Sequence, residues 1–182
     1  MPLSHKLPSL PHQSCRLAII GEAPTFDETQ ANDLFVDSAG KLLRAVLGQV
    51  NLSADQCLLV NILDTPNDIS RLPWESPAIQ EGIARCKSII DTYRPNCILS
   101  LGRASMRMLR PDLCYDRKNE VVVPLDRWRG SVIESAWGYK TVFAFHPTYI
   151  IRAYSDLPYF KFDIARAVEQ SRYPELRLQR RH

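Results

Sequence analysis

Several things are missing from this sequence, and each absence excludes a class of protein. No run of about 18 apolar residues exists, so no membrane-spanning helix is expected. The opening stretch, MPLSHKLPSLPHQS, has no continuous apolar segment followed by a cleavage site. It reads as a flexible proline-rich arm over residues 1–14 rather than a secretory leader. The five cysteines, Cys15, Cys57, Cys86, Cys97 and Cys114, are odd in number, widely spaced and without a CxxC pair. Several lie in apolar runs, as reduced buried thiols do, which points to an intracellular, cytoplasmic setting. Histidine is scarce: His5, His12 and His182 lie in the termini, which leaves His146 alone in the body. A large net charge is also missing, at +3. The basic groups are nevertheless 17 Arg against 6 Lys. That bias suits phosphate forks and stacking on bases, and it equally follows from genomic base composition.

What is present suits one globular domain with a real core: 182 residues, 45% apolar and 24% charged. Four apolar runs read as strands, at 15–20, 56–63, 96–101 and 140–145. They are continuous rather than alternating, as in a parallel sheet covered on both faces. Helical periodicity begins at Ser38, with Leu42, Leu43, Val46 and Leu47 on one stripe. It recurs over 78–93, 103–109 and 157–170. Glu120–Pro124 and Ser131–Glu134 suggest a small hairpin, and 171–182 a basic tail. The rhythm of strand, loop and helix predicts an α/β fold: a three-layer α/β/α sandwich around a central four-stranded, mostly parallel sheet, spanning 15–170. Ligands should then bind at the carboxyl ends of the strands.

Four polar features fall at those ends. Glu22 follows the first strand in the turn Gly21-Glu22-Ala23-Pro24, and Asn61 interrupts the second. Gly102 follows the third, and His146 the fourth. Gly21 fits an anion or ring site, and it also fits a plain strand-to-helix turn. Asn61 is costly to bury unless its amide is satisfied, either by a neighbouring loop or by a ligand with adjacent donor and acceptor. His146 is either a core residue bonded to a backbone carbonyl or a donor at the site mouth. Phe35 is either a hydrophobic plug or a stacking platform for a planar ring.

The segment GEAPTFDETQANDLFVDSAGKLL (21–43) resembles the first signature of the uracil-DNA glycosylase superfamily. It is most similar to the branch that carries an iron–sulfur cluster, which reads roughly GE[AG]PGxxEDxxGxPFVGxAGxLL. Gly21, Glu22, Ala23, Pro24, Glu28, Phe35, Val36, Ala39, Gly40, Leu42 and Leu43 agree without a gap. Asn61-Ile62-Leu63, Leu101-Gly102-Arg103-Ala104 and His146-Pro147-Thr148 are similar to the three later motifs. The general flavour is similar to glycosylase-like proteins of bacteriophages, so a bacterial or phage-infected cell is the expected setting.

The resemblance implies uracil-containing DNA, single- or double-stranded, as partner, and a monomer acting in base-excision repair. It implies catalytic roles for Glu22, Asn61 and His146. Phe35 would stack on an extruded uracil, Asn61 would read its amide edge, and His146 would donate to O2. Gly21, Ala23, Pro24, Gly102 and Thr148 would complete the substrate site. The departures are Thr25, Asn32 and Asp37 at three glycine positions, Thr29 for an aspartate and Leu34 for a proline. Only Cys15 and Cys86 match cluster cysteines, too few for four ligands, so neither cofactor nor metal is expected. Two other readings stay open: a superfamily member that binds DNA or a nucleotide without cutting, and a glycosylase for hypoxanthine or xanthine.

Overall fold

The four apolar runs form the centre of the sheet in the computed structural model, which describes residues 3–9, 16–115, 118 and 120–174. His5–Lys6 (β1) and Leu17–Gly21 (β2) precede Phe26–Ala31 (α1) and Ser38–Gln49 (α2). Leu58–Asn61 (β3) leads to Pro77–Tyr93 (α3), and Cys97–Leu101 (β4) leads to Arg103–Leu109 (α4). A single turn, Leu125–Trp128 (α5), precedes Val132–Glu134 (β5) and Lys140–Ala144 (β6). Pro147–Arg152 (α6) and Leu157–Gln170 (α7) complete the described elements. No described helix is long and apolar enough to cross a membrane.

The strand order is β1-β3-β2-β4-β6-β5. The four inner strands are parallel, as their uninterrupted apolar character predicts. The edges differ: β1 runs antiparallel to β3, and β5 antiparallel to β6. The expected four-stranded, mostly parallel sheet is therefore corrected to a mixed six-stranded one. The reason is physical. Central strands declare themselves by burial on both faces. Edge strands of two or three residues show no such pattern and are defined by their backbone pairing with a neighbour. β1 comes from within 1–14, the stretch assigned to the arm.

The expected hairpin is also different. Residues 132–134 pair with 140–142 across a turn in which Gly138 has φ 81°. Val121 instead bridges to Tyr115.

Right-handed crossovers put α2 on one face of the sheet and α3 with α4 on the other. α7 packs beside α2 and against β4 and β6. The apolar stripes expected for these helices bury Leu43, Val46 and Leu47 of α2, Ile79, Cys86 and Ile90 of α3, and Phe160, Ile164 and Val168 of α7. The chain leaves β2 to one side through β3 and returns to the other side at β4. That reversal opens a crevice at the carboxyl ends of β2 and β4, where an open α/β sheet binds its ligand.

Candidate active site

The loop after β2 is shaped by caps. Thr25 opens α1 with a capping box: its N–H donates to Glu28 Oε2 at 2.7 Å, and the Glu28 N–H donates to Thr25 Oγ1 at 3.3 Å. Asn32 ends α1 in the left-handed region, at φ 50°. Asp37 opens α2, with Oδ1 accepting the Gly40 N–H at 2.7 Å. Thr25, Asn32 and Asp37 are the three places where the resembled pattern has glycine. Here each one starts or stops a helix. Glu28 is 4% exposed. Burial pushes its carboxyl above the ordinary value, opposed by the amides of Thr25, Phe35 and Val36 that it accepts. One buried carboxylate thus ties both ends of the loop together.

Phe35 stands at the loop's turning point with φ 55°, an uncommon angle for a bulky side chain. Arg44 of α2 fixes the turn: its Nε donates to the Phe35 carbonyl at 2.7 Å and its NH2 to the Leu34 carbonyl at 2.9 Å. The ring rests over Gly21. A Cβ built there would lie 2.9 Å from Phe35 Cζ and 2.5 Å from Asn61 Oδ1. Gly21 and Asn61 are register partners at the ends of β2 and β3. The missing side chain of Gly21 therefore lets a ring and an amide meet at the sheet's end. Asn61 is 3% exposed and is anchored by its backbone: its N–H donates to the Ser4 carbonyl, and its own carbonyl accepts from Cys86 Sγ.

His146 caps α6, and Pro147 fills the first helical position, where its missing N–H costs nothing. Nδ1 accepts the Thr148 N–H at 3.3 Å, and the Thr148 hydroxyl lies 3.0 Å from the same nitrogen. A backbone N–H can only donate, so the ring proton sits on Nε2. Burial lowers the imidazole pKa, against the opposing charges of Glu22 and Asp37. The lowered pKa favours the neutral ring, which carries its proton on Nε2 and lines a cavity with Phe35 and Asn61. Glu22 Oε1 accepts the Ala104 N–H at 3.3 Å and packs on Gly102, where φ is 91° and an added Cβ would sit 2.5 Å from it.

Glu22, Ala23, Phe35, Asn61, His146 and Thr148 line one cavity of about 450 Å³. Gly21 supports it from below, and Pro24 is buried beside it, just ahead of the Thr25 cap. Gly102 lines an adjoining lobe with Glu22 and His146. Glu28 and Arg44 carry no role in the sequence reading, although the Thr25-x-x-Glu28 capping box is legible there. The cavity also takes in Asn67–Ser70, Tyr149 and Arg152, which no local pattern singles out.

A sequence model of the uracil DNA glycosylase superfamily matches residues 8–169. The chain belongs to that superfamily. It is similar to the type-4 uracil-DNA glycosylase of Archaeoglobus fulgidus, at 26% identity over 150 residues, covering 80% of this chain and 71% of that one. The Thermotoga maritima type-4 enzyme is 27% identical over 139 residues, covering 75% of this chain and 67% of its own. The Sulfurisphaera tokodaii type-4 enzyme is 25% identical over 142 residues, covering 75% of this chain and 59% of its own.

The donor set does not fit the iron–sulfur cluster that the similar branch implies. Cluster ligands are thiolates. Cys86 is fully buried, its thiol bonds to the Asn61 carbonyl at 3.4 Å, and burial pushes it up to about 12. The stretch Asp64-Thr65-Pro66 that follows Asn61-Ile62-Leu63 offers no cysteine, and Asp64 lies 3.5 Å from Arg85. Cys15 lies outside the described residues. Among the described residues, no group of three or more His, Cys, Asp or Glu is placed to hold a metal ion.

Proposed function

We propose that this superfamily member is a uracil-DNA glycosylase, a hydrolase that removes uracil from DNA. The observation that carries the reading is the meeting of Phe35 and Asn61 over Gly21, in one cavity with the Nε2–H of His146. A uracil extruded from the strand would stack on the Phe35 ring. The Asn61 amide would offer a donor to O4 and an acceptor to N3–H. An exocyclic amino group at the donor's position would meet another donor, so cytosine would be disfavoured.

The reaction breaks the bond from uracil N1 to the sugar C1′. The electron pair leaves with the base, whose charge spreads onto O2, and the sugar becomes oxocarbenium-like. Water adds to C1′ and loses a proton, giving uracil and an abasic site. Nε2–H of His146 would donate to O2 as charge builds there. A preorganised donor of that kind contributes about 3–4 kcal/mol. The Glu22 carboxylate, held by the Ala104 N–H and packed on Gly102, would favour the sugar cation or orient the water. Extruding the base costs a few kcal/mol, least where it is already unpaired.

The test is abasic-site formation from labelled oligonucleotides carrying uracil, hypoxanthine or xanthine, in single and double strands. Uracil strands are expected to be cut. DNA bound at micromolar protein without any cleavage would sink the enzyme reading and leave the binding one. Cleavage confined to hypoxanthine or xanthine would move the specificity to those bases.

A further inference from the structure

The cavity holding Phe35 and Asn61 is one of two lobes. The second, of about 490 Å³, opens on the other side of Glu22 and His146 and shares Tyr149 and Arg152 with the first. It is no smaller than the first lobe, and the chemistry above uses neither its floor nor its rim. The floor is apolar: Leu125 is 3% exposed and Phe145 8%. The lining carries three arginines, Arg103, Arg107 and Arg152, against two carboxylates, Asp126 and the shared Glu22. The Arg107 guanidinium lies over the Trp74 ring, 4.4 Å from its centroid. The loop bearing Trp74 is pinned by Gln80, whose Nε2 donates to the Trp74 carbonyl at 2.8 Å.

An arginine over a tryptophan ring, in one cavity with buried apolar side chains and two further arginines, suits a planar ring attached to phosphates. Arginines alone would describe a phosphate path. Trp74 and the buried floor add a surface that a phosphate cannot use. We propose that the second lobe holds the base of a nucleotide adjacent to the one being cleaved, unstacked from its neighbours. The favoured substrate is then single-stranded or locally melted DNA. In a duplex a second base would have to leave its stack and its pair, a cost that a single strand does not bear. The inference rests on the glycosylase reading of the first lobe.

The test uses single-stranded uracil oligonucleotides in which the 5′ or the 3′ neighbour is either a normal nucleotide or a tetrahydrofuran abasic analogue. In wild type, removing one neighbour's base, and not the other's, should lower kcat/KM about tenfold. Trp74→Ala should lose a similar factor on the intact strand and nothing further on the base-less one. Trp74→Phe should retain most of the effect. Single-strand preference should shrink in Trp74→Ala. Indifference of wild type to both neighbours overturns the proposal. So do losses from Trp74→Ala and from base removal that simply multiply, which would leave the lobe a phosphate path. Absence of all cleavage counts against the glycosylase reading instead. The same strands then decide the second lobe by binding, where equal Kd with and without the neighbouring base overturns it independently.

Discussion

Gly40 packs its bare Cα against the backbone of Phe35. A Cβ built on Gly40 would overlap the Phe35 carbonyl and Cα. The contact is with main chain, so no rotamer change can relieve it. Phe35 sits at φ 55° on the other side of that contact, held by the Arg44 fork. Backbone strain of this kind persists only where the surroundings over-determine it.

Gly40→Ala should therefore move the Phe35 turn, at a cost of about 2 kcal/mol or more in stability and about a hundredfold in kcat/KM. Arg44→Lys, which keeps the charge and loses the fork, should give a milder loss of both. Thermal melts and uracil release check this. A Gly40→Ala protein with wild-type activity would mean that Phe35 is only a plug.

Asn61→Ala should lower uracil release by about a hundredfold or more, because the amide edge of the base loses its partner. The expected change lies in cleavage of uracil rather than in general DNA affinity, which phosphate contacts dominate. Cleavage rate and Kd measured on the same oligonucleotide separate the two. A near-wild-type rate would remove Asn61 from recognition.

His146 gives a pH signature. Its folded pKa is lowered from the usual value of about 6.5 by burial, so the unfolded chain takes up this proton first as pH falls. The associated stability is complete above about pH 6.5 and is lost as pH falls through the folded pKa. Activity should be flat above that point and fall on the acid side, because a proton on Nδ1 ends its acceptance of the Thr148 N–H. Asp37→Asn keeps the helix cap and removes a charge that favours protonation. Its acid limb should move to lower pH. A limb unchanged in Asp37→Asn would assign the titration to another group. His146→Ala should cost about a hundredfold or more in rate at neutral pH.

Cys86 offers a direct test of the cluster question. Protein purified without oxygen should show no absorbance band near about 400 nm, as expected where four thiolates are not assembled. Cys86→Ala should melt lower by a few degrees, from the lost packing of a fully buried thiol. It should keep its uracil release. A band near that wavelength that disappears in Cys86→Ala would make Cys86 a ligand.

The sequence alone determined the inner sheet, the helices that cover it and the order of the site motifs. Burial on both faces forces continuous apolar strands, and burial on one face forces the helical stripes, so both are written as patterns along the chain. It also placed Glu22, Asn61, Gly102 and His146 at strand ends. Tertiary structure alone decided the two edge strands, because short edges are made by backbone pairing with a partner distant in sequence. It decided that Asn32 and Asp37 act as caps, since a cap is defined by the angles at which a helix starts or stops. It fixed the proton of His146 on Nε2 through the Thr148 N–H. It also brought Trp74 and Arg107 together beside the site. A pocket depends on which distant side chains converge, and no local pattern of residues records that.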